Sequence, residues 1–306
     1  MRSTRKLIPI ALLSCLFLIG LPIVGLAQAD PLQPGEVAVG TVFENLFIYT
    51  PLQHDIVSHV LTLGFAAQAA GLVYFLATLN NVAPRFRLSS VLSAVVMSSA
   101  FLELFQIFQN WHNSFVFSDG VYQLGQTAFS NGYRYMNWSI DVPMLLLQLV
   151  IVLGLARKQA VSYGTQFIVG GLLMIWTGYI GQFYEVTNLA PFWIWGAIST
   201  VFYVYVLFVV GQLINRTAGD LPRDPDNLPK AMRFVFWFVL VTWTIYPIAY
   251  LMPVLWPTAW GAVTRQVLYT IADITSKVIY GAILSYIARK RSYAIGYEAA
   301  IATARR

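Results

Sequence analysis

The chain has 306 residues, of which 58% are hydrophobic and only 10% charged. About a quarter of an average soluble domain is charged, so this composition excludes an ordinary water-soluble fold and belongs to a lipid bilayer. The formal net charge of +6 would suit a nucleic-acid partner, but the segregation of the basic residues described below points to a membrane and to no nucleic acid.

Arg2, Arg5 and Lys6 precede an apolar run from Leu7, and Ala27-Gln28-Ala29 resembles a small-residue cleavage site, which predicts a signal peptide over 1–29. The run is long for a signal, so an uncleaved N-terminal helix is the alternative; Pro22 near its end favours cleavage. Residues 30–52 then form an extracellular segment. Cys15 is the only cysteine, so neither a disulfide nor a cysteine-based metal site is expected to hold the mature protein together.

Seven apolar stretches follow, at about 53–80, 89–111, 131–157, 163–184, 191–215, 229–253 and 262–289. Each reaches the length of about 20 residues that a membrane-spanning helix needs, so the chain reads as an all-α membrane protein, with a seven-helix domain over 53–290 and a tail over 291–306. Connections are short and polar, as at 80–84 and 220–226. The exception is 113–130, where alternation around Phe115-Val116-Phe117 and Val121-Tyr122 predicts a small hairpin. Arg85, Arg87, Arg157, Lys158, Arg216, Arg223, Lys230, Arg233, Arg289, Lys290 and Arg291 sit on alternate connections and the tail, and the opposite connections carry none. Basic loops stay in the cytoplasm. The expectation is a multi-pass protein of the cell membrane with its N-terminus outside and its C-terminus inside.

An ionised group at the bilayer centre costs at least about 3 kcal/mol, so charges within the spans mark function. Glu103 lies in the second span, Asp141 in the third, Asp273 and Lys277 in the seventh. Lys277 follows Asp273 by four residues, which stacks the two on one helical face. Two readings fit: a structural ion pair, or a lysine that condenses with an aldehyde to a Schiff base beside a carboxylate. In the third span Arg134, Asn137, Asp141 and Gln148 form one narrow stripe at about 100° per residue. Such a stripe suits an ion path through a bundle. Helix-packing hydrogen bonds account for Asn137 or Gln148, but not for Arg134 and Asp141 on the same line.

From about residue 43 onward the sequence resembles the microbial rhodopsins. Arg134-Tyr135 with Trp138 and Pro143 resembles their third helix, Trp243-Thr244-Ile245-Tyr246-Pro247 their sixth, and Asp273 with Lys277 their seventh. The resemblance implies a seven-helix bundle of the microbial rhodopsin type, a transporter and not an enzyme, with all-trans-retinal bound to Lys277 as a Schiff base. Trp138 and Trp243 are implied to sandwich the polyene, with Met174, Gly178, Ser199, Tyr246, Pro247 and Tyr250 lining the ring and chain. Three third-helix positions sort the transported ion in this family, and here they read Asn137, Asp141 and Gln148, similar to the light-driven sodium pumps. Segments 43–45, 58–64, 92–97 and 178–186 extend that likeness.

The resemblance further implies transient sodium coordination at Asn137, Asp141 and Asp273, proton transfer from the Schiff base to Asp141, and no proton donor at Gln148. Ser93 and Ser99 are implied to line the uptake side, and Arg134 to gate release toward Glu44, Glu185 and Arg265. Glu103 departs from the sodium-pump pattern, as a second acid on the release path or a neutral acid at a helix contact. His54, Thr127, Ser90 and Ser285 also depart from it. His59 is implied to pair with Asp141 across a subunit interface, the alternative being plain packing. Gly196 stands where some relatives carry a bulky Trp, which implies room for a carotenoid antenna. The expected partners are sodium, the lipid bilayer and further copies of the chain, a pentamer by resemblance. The alternative functions are an outward proton pump and, with less support, a photosensory receptor.

Overall fold

Inside a bilayer every backbone amide must find its partner within its own segment, so each long apolar run has one solution and winds into an α-helix. The computed structural model describes residues 38–223 and 226–297; the expected signal peptide over 1–29 and most of the tail lie outside the described residues. Among these residues seven helices are long and apolar enough to cross a membrane. They are α1 (Pro51–Ala77), α2 (Pro84–Ser114), α3 (Gly132–Leu153), α4 (Arg157–Gln182), α5 (Leu189–Thr217), α6 (Leu228–Tyr250) and α7 (Ala259–Ala294).

The expected spans and the helices agree in number and order, and the boundaries differ for local reasons. Thr50 and Gln53 form a reciprocal cap and Pro51 takes the first helical position, which starts α1 slightly before 53. Pro84 opens α2, five residues ahead of the apolar stretch, because Arg85 and Arg87 occupy a first turn at the lipid boundary where long basic side chains reach water. Gly154, at φ +63°, closes α3 in a left-handed turn after Leu153. That early stop lets α4 begin at Arg157 instead of 163.

Successive helices from α1 to α5 are neighbours, and α7 packs on both α1 and α6, so the bundle closes on itself. Between α2 and α3 the chain forms the expected hairpin, with β1 (Phe115–Ser118) antiparallel to β2 (Val121–Leu124). Tyr49 bridges to Tyr122 of the hairpin, and the His54 ring lies flat on the Tyr122 ring with centroids 3.7 Å apart. Near this end an apolar cluster gathers Tyr49, Trp111, Phe115 and Phe129. Toward the opposite, basic end a second one packs Phe75, Met97, Leu145, Leu146 and Leu149, all nearly inaccessible to solvent. Tyr280 ties this layer together by donating its hydroxyl to the Leu145 carbonyl at 2.9 Å.

Helix α7 is not uniform. Its regular winding stops at Asp273, a π-helical turn runs over Ile274–Ile279, and regular winding resumes at Tyr280. Lys277 sits in that turn. Close packing against α1 is possible only because Gly64 lacks a side chain, since a Cβ there would lie 2.6 Å from Thr270 Cγ2. Gly64→Val should therefore cost about 1–3 kcal/mol by overpacking, read as a lower Tm of the purified protein.

Candidate functional site

Helices α3 and α7 face one another across the middle of the bundle, and their polar residues meet there. Lys277 Nζ lies 2.9 Å from Asp273 Oδ1 and 3.0 Å from Asp141 Oδ2, and it donates to Asn137 Oδ1 at 2.8 Å. The lysine is 1% exposed and both carboxylates are fully buried. Arg134 Nη1 is 3.0 Å from Asp273 Oδ2, so two cations stand against two anions and the interior carries no large net charge. Asp273 Oδ1 also accepts from Tyr246 Oη at 2.7 Å and Trp138 Nε1 at 3.2 Å. These bonds hold the carboxylate in one orientation.

The stripe expected on α3 is thus assembled around the lysine. Asn137 Nδ2 donates to Ser99 Oγ at 2.7 Å, whereas Ser93 Oγ donates to Gln148 Oε1 at 3.0 Å. The two serines therefore stand at different depths: Ser93 lies with Gln148 toward the basic end, and Ser99 joins the cluster at Lys277. Glu103 lies 3.5 Å from Arg134 Nη1, and neither of its carboxyl oxygens makes a hydrogen bond among the described residues. His59 and Asp141 are not brought together within the chain, for His59 is on the exposed face of α1 while Asp141 is enclosed.

Beyond Arg134 the polar chain continues toward the hairpin end. Arg134 Nη2 donates to Gln266 Oε1 at 2.9 Å, and Gln266 Nε2 donates to Glu44 Oε1 at 2.6 Å and to Asn131 Oδ1 at 2.9 Å. Arg265 bonds Glu44 through two nitrogens and Glu185 Oε2 at 2.6 Å. Glu44, Glu185 and Arg265 thus form one cluster, linked to Arg134 through Gln266. Gln266 and Asn131 escaped the sequence reading. Their spacing carried a signal, since Asn131 precedes Arg134 by three residues and Gln266 precedes Asp273 by seven, each on the face already marked by a charge.

On its other side Lys277 opens into an apolar cavity. Trp138, Met174, Gly178, Ser199, Trp243, Tyr246, Pro247 and Tyr250 all line it, together with Tyr135, Val142, Leu145, Ile175, Gly196, Thr200, Tyr203, Tyr269 and Ser276. Trp243 Nε1 is buried there without a hydrogen-bond partner among the described residues.

Residues 55–291 match the family model described as bacteriorhodopsin-like protein. The chain belongs to that family. The green-light absorbing proteorhodopsin of a gamma-proteobacterium is 26% identical over 229 residues, covering 74% of this chain and 84% of the relative. A solved thermophilic rhodopsin superposes with a TM-score of 0.77 at 30% identity, over 82% of this chain and 99% of that one. Xanthorhodopsin, described as a light-driven ion pump with dual chromophore, does so with 0.76 at 31%, over 82% and 99%. The protein is thus a seven-span membrane protein of the microbial rhodopsins, a family of light-driven ion pumps and photoreceptors whose chromophore is retinal. The residues present fit that group: an apolar, aromatic-walled cavity ends on a buried primary amine flanked by two carboxylates.

Glu44 and Glu185 lie outside the spans and share Arg265. Burial pushes the Glu44 carboxyl up, but the Arg265 charge and the hydrogen bonds from Arg265 and Gln266 prevail and hold it below its ordinary 4.5. At Glu185 burial wins over Arg265, and the carboxyl is raised above 4.5. On acidification Glu185 takes its proton first, in the form its burial favours. The stability supplied by ionised Glu44 is present above pH 4.5 and is lost as pH falls through its lower folded value. Thermal melting against pH should show Tm falling below that point, and Glu44→Gln should flatten this part of the profile.

Proposed function

We propose that the chain is a light-driven outward sodium pump carrying all-trans-retinal on Lys277. Bound there as a Schiff base, retinal supplies light absorption and a change of shape at the lysine nitrogen. The observation that carries the reading is the set of three α3 residues: neutral Asn137 and acidic Asp141 both touch Lys277 Nζ, and neutral Gln148 lies with Ser93.

A fixed positive charge at Nζ would repel a cation at the middle of the membrane. Asp141 Oδ2, 3.0 Å away, takes the proton from Nζ and removes that charge. Asn137 Oδ1 and the Asp273 carboxylate, both within 3 Å of Nζ, then present oxygen atoms, the ligand type a hard cation prefers. When Asp141 returns the proton, the restored charge blocks backflow. Gln148 has no proton to give, so the basic half of the bundle does not refill the site with a proton of its own. Arg134 hands the cation toward Gln266, Glu44, Glu185 and Arg265 at the hairpin end, which is the outer end if the basic connections are cytoplasmic.

Half-buried Gly196 in the cavity wall supports a place for a carotenoid as second chromophore, and the exposed faces of the helices support assembly into a homo-oligomer such as a pentamer. A second reading, an outward proton pump, is favoured by Glu103: an acid with no hydrogen bond among the described residues, 3.5 Å from Arg134, is a ready acceptor for a proton leaving Asp141.

Illuminated cells expressing the chain separate the two. In sodium chloride with a proton uncoupler, sodium export draws protons inward and the medium turns alkaline; in potassium chloride that signal is absent. An acidification abolished by the uncoupler would instead identify a proton pump. Asp141→Asn should abolish sodium export, and Lys277→Ala should leave the protein colourless with added retinal. Sodium transport by Asp141→Asn would refute the proton transfer.

A further inference from the structure

The face that α1 turns toward α7 carries a buried amide in an apolar stripe. From Leu61 to Phe75 its buried residues are Leu61, Gly64, Gln68, Gly71 and Phe75. The two glycines let the α1 backbone approach α7 just before the π turn and at it: a Cβ at Gly64 would press on Thr270, and one at Gly71 would lie 3.4 Å from Val278 Cγ1. Between them Gln68, fully buried, donates its side-chain amide to the Asp273 carbonyl oxygen at 3.3 Å.

The location of that carbonyl gives the bond its meaning. Asp273 is the last residue of regular winding, and the π turn begins at the next one. A π turn shifts the hydrogen-bond pattern from i→i+4 to i→i+5, and the Asp273 carbonyl stands where the pattern changes. A neighbouring helix that supplies an amide at this point fixes the turn, and the residue whose backbone it grips is the one whose carboxylate touches Lys277.

We propose that Gln68 is a positioning residue: by gripping the Asp273 carbonyl at the mouth of the π turn, it sets where the Asp273 carboxylate stands relative to the Lys277 amine. The inference rests on Lys277 being the residue that bears retinal. Its chemistry is that of one donor, so a side chain of equal length without an N–H leaves the space filled and the role empty.

The test uses the full chain with Gln68→Met and Gln68→Asn, each purified with and without retinal. In the retinal-free protein, backbone amides over 270–280 should exchange about fivefold faster in Gln68→Met, the amount expected for one lost hydrogen bond, while amides of α4 keep their rate. In the loaded protein, loosening of the carboxylate from the cation should move the visible absorption to longer wavelength. Gln68→Asn, which keeps an amide donor on a shorter arm, should fall between the unaltered protein and Gln68→Met in exchange. Unchanged exchange and colour in Gln68→Met, or acceleration spread evenly over α4 and α7, would overturn the proposal. Should the unaltered chain stay colourless with retinal, the retinal reading fails, and the exchange comparison still decides whether Gln68 holds the turn.

Discussion

A lysine ammonium at mid-bilayer is tolerable only when anions stand beside it, and the architecture of this chain follows from meeting that requirement. Lys277 has two carboxylates within about 3 Å, and the surplus negative charge they bring is balanced by Arg134. Removing one member of such a set strands another charge, at a cost of about 3–5 kcal/mol. The cluster is therefore the part of the bundle that tolerates single replacements least. It also explains why Trp138 and Tyr246 do double duty: each gives a face to the cavity and a hydrogen bond to Asp273.

The same requirement shapes the backbone. Lys277 is carried on a widened turn of α7, not on a regular one, and the polar groups on α1, α2 and α3 converge on that turn. From it a hydrogen-bonded chain runs through Arg134 and Gln266 to Glu44, Arg265 and Glu185. Toward the other end there is no comparable chain among the described residues. Ser93 and Gln148 bond to each other, and leucines fill the layer around them.

Much of this was legible in the sequence, because the cost of a buried charge restricts where one can occur. Asp141, Asp273 and Lys277 are identifiable from their depth and spacing alone, whereas the eight cavity residues followed only from the resemblance to the microbial rhodopsins; all eight line one cavity. Uncharged polar residues are cheaper to bury and gave weaker signals, so Gln68, Asn131 and Gln266 were found only in three dimensions. Helix starts at Pro84 and Arg157 were misplaced because arginines at a lipid boundary look polar in sequence while belonging to the helix. The π turn over Ile274–Ile279 had no proline or glycine to announce it. The different depths of Ser93 and Ser99 follow from which α3 residue each one meets, a tertiary fact that α2 periodicity does not contain.

The leucine layer near Gln148 has an electrical consequence. A membrane potential falls most steeply where the dielectric constant is lowest, and the buried Leu145, Leu146 and Leu149, with the Tyr280 hydroxyl committed to a backbone carbonyl, make this layer strongly apolar. Moving one elementary charge through the full field is worth about 2.3 kcal/mol per 100 mV. In the proposed pump, the voltage dependence of transport would arise largely in the passage through this layer.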